Sequence, residues 1–237
     1  VIENCNISTV DDNYGAFDIQ IRDITNKDKD SQMYLPFLFK EAINLFQKDD
    51  KKKYITEKNY DFLEETGLVK HYRYNDSFLR PHLVSKCIYD FYSGSIESNT
   101  PLRFNNSYRN YFYVTNGSCK LKLIPPKYHK YLFIEKDYEN SESISKINPW
   151  DVQKEYKADF DKVKVLDIEL KKGDLLFIPA FWLYSIKYNE ISSISVFTYR
   201  TYMNTIAILP DLLMSFLQKQ NIYMKNVKNL NIEEKNQ

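Results

Sequence analysis

Along residues 37–47 the apolar positions Phe39, Ala42, Ile43 and Phe46 recur at helical spacing, which predicts an amphipathic helix packed on a sheet. A second helix is predicted over Asn59–Leu68, stopping near Gly67. Val1-Ile2-Glu3-Asn4 reads as the tail of an apolar edge strand. Residues 5–30 are polar, and Asn26-Lys27-Asp28-Lys29-Asp30 reads as an exposed loop. Short strands are predicted at Lys53–Thr56 and Cys87–Tyr92, the second closed by Ser93-Gly94-Ser95; His71–Leu83 between them reads as irregular.

From Thr100 onward the hydrophobic period falls to two. Tyr111–Val114 leads through Asn116-Gly117, a hairpin signal, into Cys119–Ile124. Alternation in that strand puts Cys119, Leu121 and Leu123 on one face and Lys120 and Lys122 on the other. Tyr128–Phe160 reads as a long insertion. Strands follow at Val163–Leu170, Asp174–Ile178, Leu183–Tyr188 and Ser192–Tyr199. Beyond them Ile206, Leu209, Leu213, Phe216 and Leu217 mark one or two helical faces, with Asp211 in the first turn after Pro210, and Lys225–Gln237 is a polar tail.

Composition narrows the class. A chain of 237 residues, 43% hydrophobic and 27% charged, is a globular protein able to bury a full core, and its 20 Tyr favour strands. Its Asn-, Lys-, Ile- and Tyr-rich character points to an AT-rich coding genome, that of a protist or a large DNA virus. A net charge of +1 supplies no field for nucleic acid, and no apolar run reaches the length of a membrane span. The 3 cysteines, Cys5, Cys87 and Cys119, are too scattered for a metal or disulfide framework, which favours a reducing, intracellular compartment (cytoplasm or nucleus). The sequence opens on Val1 and not on Met, which leaves a preceding segment and a leader open.

One stretch organises the rest: Gly173-Asp174-Leu175-Leu176-Phe177-Ile178-Pro179-Ala180-Phe181-Trp182-Leu183-Tyr184-Ser185-Ile186, a tight turn, a strand, a Pro break and an aromatic-rich strand. With Thr100-Pro101-Leu102-Arg103-Phe104-Asn105 upstream, it resembles the JmjC/cupin-8 family of double-stranded β-helix oxygenases, in particular its asparaginyl hydroxylases. The resemblance runs from about Val1 to Asn204. It implies a mainly β fold with flanking helices, a jelly roll over residues 1–204, and a C-terminal helix and tail over 205–237. In the resembling hydroxylases the C-terminal helices form the dimer, so a homodimer or protein-partner interface is expected here, and intrachain packing is the plain alternative.

The same resemblance implies a metal site of two His and one Asp, but the matching positions read Arg103, Asn105 and Tyr184. A guanidinium offers N–H groups alone and repels a cation, an amide lacks negative charge, and a phenol must ionise from a pKa near ~10. The positions matching the 2-oxoglutarate pocket are Tyr54, Thr100, Asn110, Cys119 and Phe197, where Cys119 stands for the Lys that pairs with the distal carboxylate. No metal or other cofactor is therefore expected. His71, His82 and His129 pair with no carboxylate on the strands. Arg103 is expected to fill the vacated cation position by bonding Tyr184 or Asn105, with anion binding as its lesser role.

These readings converge on a catalytically inactive cupin-like protein serving as a structural or interaction module, and as a minor particle component if the source is viral. The alternatives are an Fe(II)/2-oxoglutarate hydroxylase or demethylase with a rearranged site, and a peptide-recognition module built on the old substrate groove.

Overall fold

A computed structural model describes residues 4–25, 34–138 and 142–221. Residues 1–3 of the predicted Val1–Asn4 strand, the 26–30 loop and the Lys225–Gln237 tail lie outside these. Among the described residues thirteen strands form two antiparallel sheets. In chain order they are β1 (Asp18–Asp23), β2 (Leu35–Leu38), β3 (Tyr54–Thr56), β4 (Val84–Gly94), β5 (Arg103–Phe104), β6 (Arg109–Asn116), β7 (Ser118–Ile124), β8 (Ile134–Asp137), β9 (Glu142–Ser145), β10 (Leu166–Lys171), β11 (Leu175–Pro179), β12 (Leu183–Tyr188) and β13 (Ser193–Thr201). One sheet runs β11-β6-β13-β4-β3-β1-β2, the other β10-β7-β12-β5-β9-β8. The chain steps from sheet to sheet at β4–β5, β5–β6, β6–β7, β10–β11, β11–β12 and β12–β13. That repeated alternation is a double-stranded β-helix, a jelly roll, as expected.

It also corrects the Asn116-Gly117 reading. β6 pairs with β11 and β13, and β7 pairs with β10 and β12, so the turn is a corner between sheets and not a hairpin. Gly117 takes φ +72°, and a Cβ there would lie 2.7 Å from Ser192 Cβ. Glycine is required for conformation and for space.

Three packed layers result. Between the sheets lie Phe112, Val114, Cys119, Leu121, Leu123, Tyr184, Ile186, Ile194 and Val196, so the alternation read in β7 points its apolar set inward. The outer face of the β4–β13 sheet is covered by α1 (Ile7–Tyr14), α2 (Phe39–Lys48), α3 (Tyr60–Glu65) and α4 (Val69–Asn75). A ten-residue helix is marginal alone. α2 is held because Phe39, Ala42, Ile43 and Phe46 are all buried, at roughly 1.5–3 kcal/mol for each large side chain. α1 and α4 each bury only two apolar residues (Ile7 and Val10, Val69 and Tyr72), too few to register as periodicity, and so the polar and irregular readings of these segments are corrected.

Residues 126–160 are more than a loop: β8 and β9 extend the second sheet through β5, and α5 (Lys157–Phe160) follows. This insertion covers Leu102, Ile124 and Leu183.

After β13 come α6 (Tyr202–Ala207) and helical residues 209–221. Their pattern is inverted: Asn204, Ile208 and Ser215 are buried, whereas Met203, Ile206, Leu209, Leu213, Phe216 and Leu217 are exposed. Among the described residues no helix is long and apolar enough to cross a membrane.

Gly67 also has positive φ (+73°), but a Cβ there would meet nothing within 4 Å. Gly67→Ala is expected to cost about 1–2 kcal/mol from backbone conformation alone. Gly117→Ala should cost about 1–3 kcal/mol more, from the steric clash at the corner. Urea denaturation of both variants checks the order; equal losses would refute the close approach.

Candidate functional site

β5 and β12 are neighbours, and Arg103 is the direct cross-strand partner of Tyr184. Both side chains point between the sheets. Asn105 does not join them: it lies beyond β5, and its Oδ1 accepts the backbone N–H of Ser107 at 2.9 Å, a turn-stabilising bond.

The carboxylate partner of Arg103 is Glu57, which the sequence reading did not name; of the two expected partners Tyr184 lies against the guanidinium, and Asn105 is corrected. Arg103 Nη1 donates to Glu57 Oε1 at 2.9 Å, and Nη2 bonds Oε2, giving a two-pronged pair. Both residues are buried, Glu57 at 1% and Arg103 at 6% exposure. Tyr92 and Tyr184 flank the guanidinium, their ring centroids 5.7 and 5.6 Å from Cζ. Glu57 follows β3 on the face of Ile55, which is packed in the inter-sheet core. A carboxylate two residues after a core Ile was the signal available in the sequence.

Further charges surround the pair. Arg22 Nη1 on β1 lies 3.3 Å from Glu57 Oε1 and 3.3 Å from Glu142 Oε2. Tyr34 donates its hydroxyl to Glu57 Oε1 at 2.5 Å, and Lys58 Nζ pairs with Glu142 Oε1 at 2.8 Å. Burial alone would raise the Glu57 pKa; the charges and hydrogen bonds of Arg103 and then the charge of Arg22 outweigh it and hold the carboxyl below its usual range. Burial also raises the Tyr184 phenol above its ordinary value, against the opposing pull of Arg103, so it stays neutral.

The five pocket positions divide. Thr100 and Asn110 are buried with their polar groups committed to the frame. Thr100 Oγ1 accepts the Ile186 N–H at 2.9 Å, and Asn110 Oδ1 accepts Thr198 Oγ1 at 3.3 Å. Cys119 lies in the inter-sheet core, its thiol pushed up to about 12 by burial and secondarily by Asp174. Phe197 and Tyr54 are corrected, because both face the helix layer and not the interior. Phe197 packs on Tyr72 and Tyr89, with ring centroids 5.1 and 6.0 Å away, and Tyr54 joins the same cluster. β13 is buried on both faces, so alternation could not assign its direction.

The histidines are dispersed. His71 Nδ1 lies 3.1 Å from Asn4 Nδ2, His129 Nε2 lies 2.9 Å from the Phe181 carbonyl, and His82 is exposed. Among the described residues no group of three or more His, Cys, Asp or Glu is placed to hold a metal ion.

A cupin-like domain profile matches residues 12–204, and the chain belongs to that family. No curated protein matches it. The iron and 2-oxoglutarate implied by the resemblance to the JmjC oxygenases do not fit this donor set. A divalent cation at the Arg103 position would face a guanidinium, a neutral phenol and a carboxylate already bound by two arginines.

Glu57→Gln is expected to destabilise the protein by roughly 3–5 kcal/mol, because it removes the carboxylate paired with buried Arg103 and leaves Arg22 with Glu142 alone. Glu57→Leu combined with Arg103→Met should recover most of that loss. Since the folded Glu57 pKa is depressed, its stabilisation is fully present above the unfolded value of about 4.3 and is lost as pH falls below it. Urea melts at neutral and acid pH test this. Glu57→Gln should flatten the acid limb, and a Glu57→Gln protein as stable as the wild type would show that the pair holds nothing.

Proposed function

We propose that this chain is a non-catalytic member of the cupin-like family, in which the position of the oxygenase metal is taken by the Arg103–Glu57 pair and the barrel serves as a structural and interaction module. The observation that carries this reading is that pair. A buried guanidinium is bonded through both Nη atoms to one carboxylate, at the residue that the resemblance matches to the first imidazole of the oxygenases. Arginine stays protonated at any physiological pH, so the obstacle to a cation is permanent.

The distal co-substrate position points the same way. Cys119 is a buried neutral thiol among Leu121, Leu123 and Ile186, and it offers a dicarboxylate no counter-charge.

The interaction role rests on the C-terminal helices. Ile206, Leu209, Leu213, Phe216 and Leu217 face outward while Asn204 and Ser215 face the body. A surface helix normally turns its apolar stripe inward. We assign the exposed stripe to a homodimer interface, since a self-complementary apolar face on adjacent helices is what a two-fold contact needs.

Two measurements test these statements separately. Anaerobic titration with Fe(II) or Mn(II) should show no saturable binding, and no oxygen uptake should depend on 2-oxoglutarate; stoichiometric metal or keto-acid-dependent turnover would overturn the non-catalytic reading. Light scattering after gel filtration should give a dimer, converted to monomer by Leu213→Glu with Phe216→Glu at unchanged melting temperature. A monomeric wild type, or a dimer insensitive to both substitutions, would remove the homodimer and leave the stripe to a different protein.

A further inference from the structure

Arg103 and Arg22 are paired with Glu57, but another inward-facing arginine is not neutralised. Arg200 on β13 lies on the face of Ile194, Val196 and Thr198, and its direct cross-strand partner on β4 is Lys86. Two cations placed opposite each other on one face of a sheet destabilise it unless something compensates them. Among the described residues neither side chain has an ion-pair partner. Arg200 is half-buried, and its Nε is fully buried with no hydrogen-bond partner. Burial is the one influence on its pKa, which it lowers; no carboxylate counters the effect.

The backbone is adapted at this point. The β4–β13 register shifts between Arg200 and Thr201, and Ser85 Oγ donates to the Arg200 carbonyl at 3.0 Å. Such bulges re-aim a side chain and gather near binding sites.

The loop before β6 is attached on both sides of Arg200. Thr198 bonds Asn110 just inside β6, and Asn204 Nδ2 donates to the carbonyl of Asn106 in the loop itself, at 2.9 Å. On these two segments Asn106 Oδ1, Ser107 Oγ and Asn204 Oδ1 are buried without a partner. The carboxylate attached to this loop, Asp211, is held by Lys136 Nζ at 2.8 Å and by Asn106 Nδ2 at 3.3 Å. One rim of the barrel thus combines two uncompensated cations with buried acceptors that lack donors.

We propose that Lys86, Arg200 and the Asn106–Ser107 loop with Asn204 form a binding site for a small oxyanion that also carries a hydrogen-bond donor, as a hydroxy-carboxylate does. The oxyanion pairs with the two cations, and its hydroxyl donates to the orphaned amide oxygens. The site is distinct from the Arg103 position and does not depend on the non-catalytic reading.

Calorimetric titration of the full chain at low ionic strength, with malate, succinate and inorganic phosphate as probes, tests it. Malate should bind saturably at one site, and succinate, which lacks the hydroxyl, should bind several-fold more weakly. Arg200→Gln should weaken malate by about tenfold or more, the scale of one lost charge-assisted bond. Lys86→Gln should weaken it several-fold, and Lys120→Gln, on the outer face of β7, should leave it unchanged. Lys86 and Lys120 are exposed, so these two variants keep the fold whatever Arg200→Gln does to it. No saturable heat with any probe, or equal malate affinity in wild type and Lys86→Gln, would overturn the site; succinate binding as tightly as malate would overturn the donor requirement, and phosphate, whose P–OH also donates, should bind at the same site. None of these outcomes bears on metal binding at Arg103, which is read by the cation titration.

Discussion

The bond between Glu57 and Arg103 is the constraint on which the interior depends. β3 and β5, the strands that carry or adjoin its partners, span three and two residues, too short for their ladders alone to fix where they lie. A two-pronged pair between them joins the two sheets at one defined point. Stability does not explain the choice of charges, since a well-packed apolar pair of the same volume would hold as well. Directionality does. A guanidinium accepts only one arrangement of carboxylate oxygens, so the pair sets the spacing between the sheets as well as their attraction. Arg22 and Tyr34 add bonds to Glu57, and Glu142 shares the Arg22 charge, which keeps a charged cluster tolerable in a desolvated place.

Much of the frame was legible along the chain. The turn, strand, Pro break and aromatic strand over Gly173–Ile186 lie where the residues indicated, and β12 has the boundaries read for it, Leu183–Tyr188. The amphipathic pattern of α2 and the alternation of β7 translate directly into buried faces, because each borders one apolar layer and one polar surface. The family match over residues 12–204 agrees with the fold that these signals imply.

What stayed illegible has physical causes. Tight-turn chemistry at Asn116-Gly117 fixes a reversal of the chain but not whether the flanking strands pair, and here the space beside Ser192 admits only glycine at a corner. β13 is buried on both faces, so nothing in its sequence separates inward Val196 and Thr198 from outward Phe197 and Tyr199. Glu57 is 46 residues from Arg103, and no local pattern links a carboxylate after a three-residue strand to an arginine that distant. The need for a partner was inferable, since an arginine on an inward strand position must be paired. Its identity required the fold.

Arg103 and Arg200 separate structural from uncompensated charge. Arg103 sits deep, and the chain itself supplies a carboxylate and two aromatic faces to lower its desolvation cost, with Nε left as its one buried group without a hydrogen bond. Arg200 sits at the rim with a lysine opposite and no acid, although the same sequence is rich in Asp and Glu. A half-buried cation can be left uncompensated at modest cost, because solvent still reaches part of it, whereas a fully buried one cannot. Depth therefore decides which arginine the fold must neutralise internally and which it can leave for a ligand. By that criterion Arg103, bonded to Glu57 between the sheets, belongs to the scaffold, whereas Arg200 keeps its charge at the rim.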